Sequence, residues 1–290
     1  MVKEYTDFLK FIDDALGMAK SIPRYFSKFS NKIYCNHQKL AIYVLMQKFK
    51  TTTRGVVSIL KASSDMKMHL GLSRVPVHST IVRFVNKIKK QINNLLDIRQ
   101  ADTVAIDATG LELESKSYYY RNITKGYARR KTKKYMKLNA VIDTDSHKIM
   151  TYKVHKSCKH ESQSFIHLMK DLKVNYVLAD KGYSSKRIRN FVIKKLKAIP
   201  VIPKRKNEGK HYTKTGKVLE FDKERYPKRS IAENVFFCIK QKYGSVLRNK
   251  SCATQKTEAI SKLIAHNVDR MQHLCLLIWK GCTSAIKAYP

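Results

Sequence analysis

Beyond residue 102 the chain alternates short β-branched runs with stretches of helical period, and few folds accommodate that alternation. Residues 103–107 form the first run, which ends in Asp107. Residues 137–143 and 148–154 flank Thr144, Asp145, Ser146 and His147, a polar segment with hairpin chemistry. A helical stretch at about 161–172 leads to a strand at 175–180, which again ends in a carboxylate, Asp180. A helix over 184–196 and a short strand over 198–202 complete the alternation. The predicted core is therefore an α/β layer, a mixed five-stranded sheet flanked by helices. A polar, basic loop follows at about 203–227, then a helix through Glu233, then an amphipathic helix from about 256 to 279.

Residues 1–100 have a different texture, all helical in period. Apolar positions recur at helical spacing over 5–18, 40–49 and 56–60. Ser79 and Thr80 suit the cap of a further helix running through Ile81, Phe84, Val85, Ile88 and Ile92 toward Leu96. The segment 70–80 reads as a turn entering that helix. Such an order is compatible with a helix-turn-helix DNA reader, and equally with the corner of any small helical bundle. The expected organisation is a helical DNA-binding region at 1–100, a catalytic α/β domain at 101–255 with a short basic insertion at about 203–227, and a C-terminal helix at 256–290 packing on the catalytic domain.

Charge narrows the partner. Lys and Arg number 59 against 22 Asp and Glu, a net charge of +37. Self-repulsion on that scale destabilises the compact state unless a polyanion offsets it, so nucleic acid is the first expected partner and an anionic membrane surface a distant second. Six cysteines without a C-x-x-C pair argue against a structural zinc site or a disulfide framework and for a reducing compartment. The N-terminus carries Lys3, Glu4, Asp7 and Lys10 and no apolar signal core, and the apolar run 274–279 is too short to span a bilayer. The expected location is cytoplasmic and nucleoid-associated when DNA is bound, with no membrane partner.

Three acids carry the chemistry. Asp107 and Asp180 close predicted strands, and in open α/β sheets sites gather at the carboxyl ends of strands. Tyr226, Arg229, Glu233 and Lys240 share one stripe of about 60° on a helix at 100° per residue. Converging carboxylates repel unless a hard cation sits among them, and oxygen-only donors suit Mg²⁺ or Mn²⁺. Two such ions about 4 Å apart serve an in-line displacement at phosphorus. Taken singly, a strand-end Asp is often only a turn former, and Asp143 and Asp145, in the predicted hairpin turn, read as structural. His155, Cys158 and His160 lack a fourth ligand for zinc. The stretch 116–137 holds nine Lys or Arg and no acid, interleaved with Tyr118, Tyr119, Tyr120, Tyr127 and Tyr135. Within it Arg129, Arg130, Lys133 and Lys134 are candidate DNA contacts, and Lys204, Arg205, Lys206 and Lys210 form a second basic patch.

The order Asp107, Asp180, Glu233 resembles that of the DDE transposases of bacterial and archaeal insertion sequences. One group of that superfamily carries Tyr, two residues, Arg, three residues, Glu, six residues, Lys, which Tyr226, Arg229, Glu233 and Lys240 match at every position. Asp180, Lys181, Gly182 and Tyr183 resemble the family's second-Asp motif, and residues 105–110 its first. The resemblance covers about residues 100–250. It implies an RNase H-like catalytic domain in which the three acids hold two Mg²⁺ (or Mn²⁺) ions. It also implies that double-stranded DNA, both element ends and target, is the partner, that Tyr226, Arg229 and Lys240 contact phosphates at the cleaved transposon end, and that a homodimer joins two ends. Two departures stand out. His160 and Glu161 occupy a place where many members have His or Asn followed by Asp, and only 53 positions separate Asp180 from Glu233, too few for the long β-rich insertion of some members. Second-strand cleavage through a hairpin is therefore open. Rival readings are an RNase H-like nuclease without strand transfer and a catalytically inactive, host-adopted DNA-binding protein.

Overall fold

Strand β1 (Thr103–Leu113) is the hub of a six-stranded sheet. The computed structural model describes residues 7–88, 91–96, 98–114, 135–156, 162–205, 209 and 221–286. On one side of β1, β2 (Tyr135–Asp143) and β3 (Ile149–His155) pair antiparallel in succession. On the other side β4 (Tyr176–Ala179) and β5 (Ile199–Val201) run parallel to β1, giving the order β3-β2-β1-β4-β5. A sixth strand, β6 (Val246–Leu247), pairs in parallel with Glu112 and Leu113 at the far end of β1. Five strands were expected; a two-residue strand has no period to read. β1 also continues well past Asp107, because β2 keeps pairing with it as far as Glu112 opposite Tyr135.

The helices of this layer are α6 (Ser162–Met169), α7 (Lys186–Phe191), continued by a π turn over Val192–Leu196, and α8 (Ser230–Tyr243). Val104 and Ile106 of β1, Val177 and Ala179 of β4, Phe165 and Met169 of α6, and Val192 form one buried cluster. Each large aliphatic or aromatic side chain there contributes roughly 1.5–3 kcal/mol on burial. Because side chains alternate along a strand, this packing of Ile106 and Ala179 sends Asp107 and Asp180 to the opposite face.

The chain divides into two units. The sheet unit comprises Leu96–Lys240 and Ser245–Asn249, and the helical unit Met1–Leu95, Gln241–Gly244 and Lys250–Pro290. The helical unit contains α1 (Phe8–Ala19), α2 (Asn36–Lys48), α3 (Thr53–Ala62), α4 (Ser64–His69), α5 (His78–Lys87) and the long α9 (Cys252–Ile286). Side chains satisfy the orphan N–H groups at several starts: Asp7 caps α1, Thr52 caps α3, Ser63 caps α4, and Cys35 with Gln38 forms a capping box on α2.

Three expectations need correcting here. Ser79 and Thr80 lie inside α5, whose N-cap is Val77 without a side-chain bond, and α5 stops at Lys87 instead of running to Leu96. The connection from α4 to α5 spans residues 70–77, longer than the three- or four-residue turn of a helix-turn-helix. The helix expected at 256–290 on the catalytic layer belongs by its contacts to the helical unit, packing on α1, α2 and α5. Its sequence looked amphipathic, yet from Thr254 to Val268 every residue except Lys256 is buried. Polar side chains such as Thr257, Ser261 and Asn267 disguised a central helix as a surface one. Among the described residues no helix is long and apolar enough to cross a membrane.

Candidate active site

Parallel pairing of β1 with β4 runs from Thr103 opposite Tyr176 to Ile106 opposite Ala179 and then stops. Asp107 and Asp180 are the next residues on the two strands, one step beyond the last pair. Neighbouring strands lie about 4.8 Å apart, so the two carboxylates start from adjacent backbone positions on one face. Asp107 is thus placed where its neighbour ends, in the middle of β1 and not at a strand end as the sequence suggested. Its edge stays open until β6 pairs at Glu112.

Asp180 caps the 3-10 turn Lys181–Tyr183 with its side chain. Two contacts that the sequence did not advertise hold this turn. Buried Arg189 donates to Ser184 Oγ and to the Ile202 carbonyl, each at 2.9 Å, and Arg205 donates to the Gly182 carbonyl at 3.1 Å. Arg189 tethers the segment after Asp180 to the end of β5; an arginine at the fourth position of a short basic helix reads as surface charge, so period alone hides it.

The stripe of Tyr226, Arg229, Glu233 and Lys240 is divided between two elements. Tyr226–Arg229 forms a 3-10 turn with Pro227 at its start, and α8 begins only at Ser230. Pro227 has no N–H to donate and sits where none is needed. The turn is docked on β4: Arg225 lies 4.1 Å from the centre of the Tyr176 ring and is paired to Asp222 at 2.8 Å. Tyr226 packs on Phe221 with ring centres 5.1 Å apart.

Arg229 joins the parts. Its guanidinium lies 2.6 Å from Glu233 Oε1 and 4.0 Å from Asp107 Oδ2, with the Tyr226 ring 6.0 Å away. Its side chain is 20% exposed, Asp107 18% and Glu233 54%, so the pair forms at a partly dried floor with Glu233 at the mouth. Burial works against the Arg229 charge. The hydrogen bond to Glu233 and the charges of Glu233, Tyr226 and Asp107 outweigh it and hold the guanidinium above the ordinary arginine value. Lys240 lies two turns beyond Glu233 on α8. Asp143 accepts from the Asp145 and Ser146 backbone N–H groups, and Asp145 pairs with Lys228 at 3.7 Å.

Asp107, Arg229 and Glu233 are therefore brought together, and Asp180 stands beside Asp107 by strand register. The donor chemistry fits a hard divalent cation, since every candidate ligand is a carboxylate oxygen. Among the described residues, however, no three His, Cys, Asp or Glu groups form a ready-made cage, and Arg229 is the charged neighbour of both Asp107 and Glu233. Arg129, Arg130, Lys133 and Lys134 lie outside the described residues, as do Cys158, His160, Glu161 and most of the basic loop.

Residues 98–268, more than half of the chain, match the family described as Transposase DDE domain. No curated protein matches the chain. Among solved structures, a cryo-EM structure of the piggyBac transposase synaptic complex with hairpin DNA is similar with a TM-score of 0.49 and 10% sequence identity. That similarity covers 93% of this chain and 73% of the other.

Proposed function

This chain belongs to the transposase DDE-domain family, and from that premise we propose that it cuts DNA at the ends of an insertion sequence and joins the freed 3′-hydroxyl to target DNA at the same site. Asp107, Asp180 and Glu233 are the residues that would hold Mg²⁺ or Mn²⁺. Bound there, such cations lower the pKa of the attacking oxygen and stabilise the leaving one. The observation that carries the reading is Arg229, which links the strand-borne Asp107 to the helix-borne Glu233 and so unites two distant stretches in one locus.

The chain's own groups divide the remaining work. Arg229 presents a planar fork that matches a phosphate as well as it matches a carboxylate, so an incoming phosphodiester can take it from Glu233. Lys240 adds a second positive charge along α8, and the Tyr226 ring lies beside the arginine. Arg129, Arg130, Lys133 and Lys134 are proposed to contact the DNA backbone. Two copies of the chain, one per transposon end, make the working assembly.

The substrate for the test is DNA that carries the sequences flanking the gene, searched for short inverted repeats. Asp107→Asn, Asp180→Asn and Glu233→Gln should each lower cation-dependent cleavage of those ends by at least about 10³-fold while leaving DNA binding intact. Wild-type cleavage by all three variants rejects the assignment. A pre-cleaved end that is never joined to target DNA leaves the nuclease without strand transfer.

A further inference from the structure

Far along the sequence from these acids, the helical unit contains a recess of its own. The loop before α2, the start of α2, the segment leading into α5 and one side of α5 line a half-open recess of about 560 Å³. Four basic side chains line it, Lys39, Arg74, Arg83 and Lys87, with Phe26 and Tyr34 on its wall, and none of its lining residues is acidic. The wider sequence offers no counter-charge: between residues 15 and 96 the only acid is Asp65, against 15 Lys and Arg.

Like charges gathered in a recess are costly without an anion. Burial pushes the Lys39 ammonium below the usual lysine range; Cys35 opposes that shift and the charge of Lys87 adds to it. Asn36, the first residue of α2, also lines the recess, and its buried Oδ1 has no hydrogen-bond partner while Nδ2 donates to the Pro23 carbonyl at 2.9 Å. An acceptor beneath a cationic rim suits a ligand that brings an amino group as well as a negative charge.

We propose that this recess is a nucleotide site, which takes one unpaired nucleotide of a DNA strand: its phosphate against Lys39, Arg83, Arg74 and Lys87, and its base against Tyr34 and Phe26. Size decides against the backbone of an intact duplex. A duplex is a stiff rod whose phosphates run along the outside, whereas a half-open recess of this volume admits a small-molecule-sized unit. Aromatic walls favour the same choice, because an unstacked base offers its π-face to a side chain, whereas inside a duplex the neighbouring base pairs cover it. A protein partner would have to bury four cations against its own acids and would have no use for the aromatic wall. The proposal rests on the reading of the chain as a DNA-processing enzyme and adds where a frayed or nicked strand is held.

The test compares binding of a blunt duplex, the same duplex with a short single-stranded overhang, and a free deoxynucleotide, each followed by fluorescence anisotropy. The full-length protein should bind the overhang about tenfold more tightly than the blunt end. Arg83→Glu, at an exposed position that folding tolerates, and Tyr34→Ala should remove that preference and leave blunt-duplex affinity within about twofold, with Tyr34→Phe restoring it. Lys61→Ala, on α3, is the control for general loss of charge. Equal losses for blunt and overhang DNA would mean ordinary backbone contact and overturn the proposal. So would tight binding of the free nucleotide without any overhang preference, which assigns the recess to a soluble ligand. Failure to bind any DNA would instead strike at the transposase reading itself.

Discussion

Arg229 is a counter-cation built into an acidic site. At 2.6 Å from Glu233 and 4.0 Å from Asp107, it engages oxygens that the proposed function assigns to a divalent cation. At an effective dielectric near 20, a unit charge 4 Å away interacts by about 4 kcal/mol before screening. Arg229→Gln should therefore raise the Mn²⁺ affinity of the DNA-free protein by at least about tenfold, read from the free-Mn²⁺ signal in electron paramagnetic resonance. Unchanged or weaker binding would show that Arg229 organises the acids and does not compete for them. Wild-type protein should show the same gain once DNA is bound, since a phosphate that draws off the guanidinium frees the carboxylates, and such coupling is reciprocal. The Arg229–Glu233 pair was legible in the sequence as an i, i+4 spacing. Its reach to Asp107 was not, because no local period connects a strand residue to a turn more than a hundred positions later. Arg189 was invisible for the same reason: its partners, Ser184 and Ile202, lie on different elements.

At the level of elements, four of the five expected strands ended within a residue or two of their expected limits. Alternation and β-branched residues mark a buried strand on their own. β1 is the exception: after Asp107 its apolar signal dissolves into Thr109 and Gly110, and only pairing with β2 keeps it extended. Tyr226 and Arg229 fell on the wheel of a helix that begins after them, since a 3-10 turn leading into α8 keeps their side chains close to the projected stripe. The end of α8 is set by Gly244, whose φ of +84° lies in the left-handed region and whose carbonyl accepts from Lys262 Nζ at 2.7 Å. A Cβ there would meet Lys262 Nζ at 3.7 Å, an ordinary contact, so the cost of substitution is backbone strain alone. Gly244→Ala should destabilise the protein by about 1–2 kcal/mol in urea unfolding, and a neutral result would mean that the turn relaxes.

On the scale of the whole molecule, sequence order and structural order part company. The helical unit is made from both ends of the chain, with α9 returning to α1 and α2. Lys48 of α2 pairs with Asp269 at 2.7 Å, Tyr243 also donates to Asp269, and Gln272 donates to the Asp7 carbonyl at 3.1 Å. Composition and periodicity carry no information about such returns. A fragment of residues 1–100 should therefore lack a cooperative thermal transition, and addition of a peptide covering 250–286 should restore one. A sharp transition in the fragment alone would show that α9 is dispensable. The arrangement also has a consequence in time. On the ribosome, β1 to β5 are complete long before α9 has been made, so the catalytic layer can fold first while α1 to α5 wait for their central helix. A nascent chain would thus possess the strands that carry Asp107 and Asp180 before α1 and α2 have the helix they pack against.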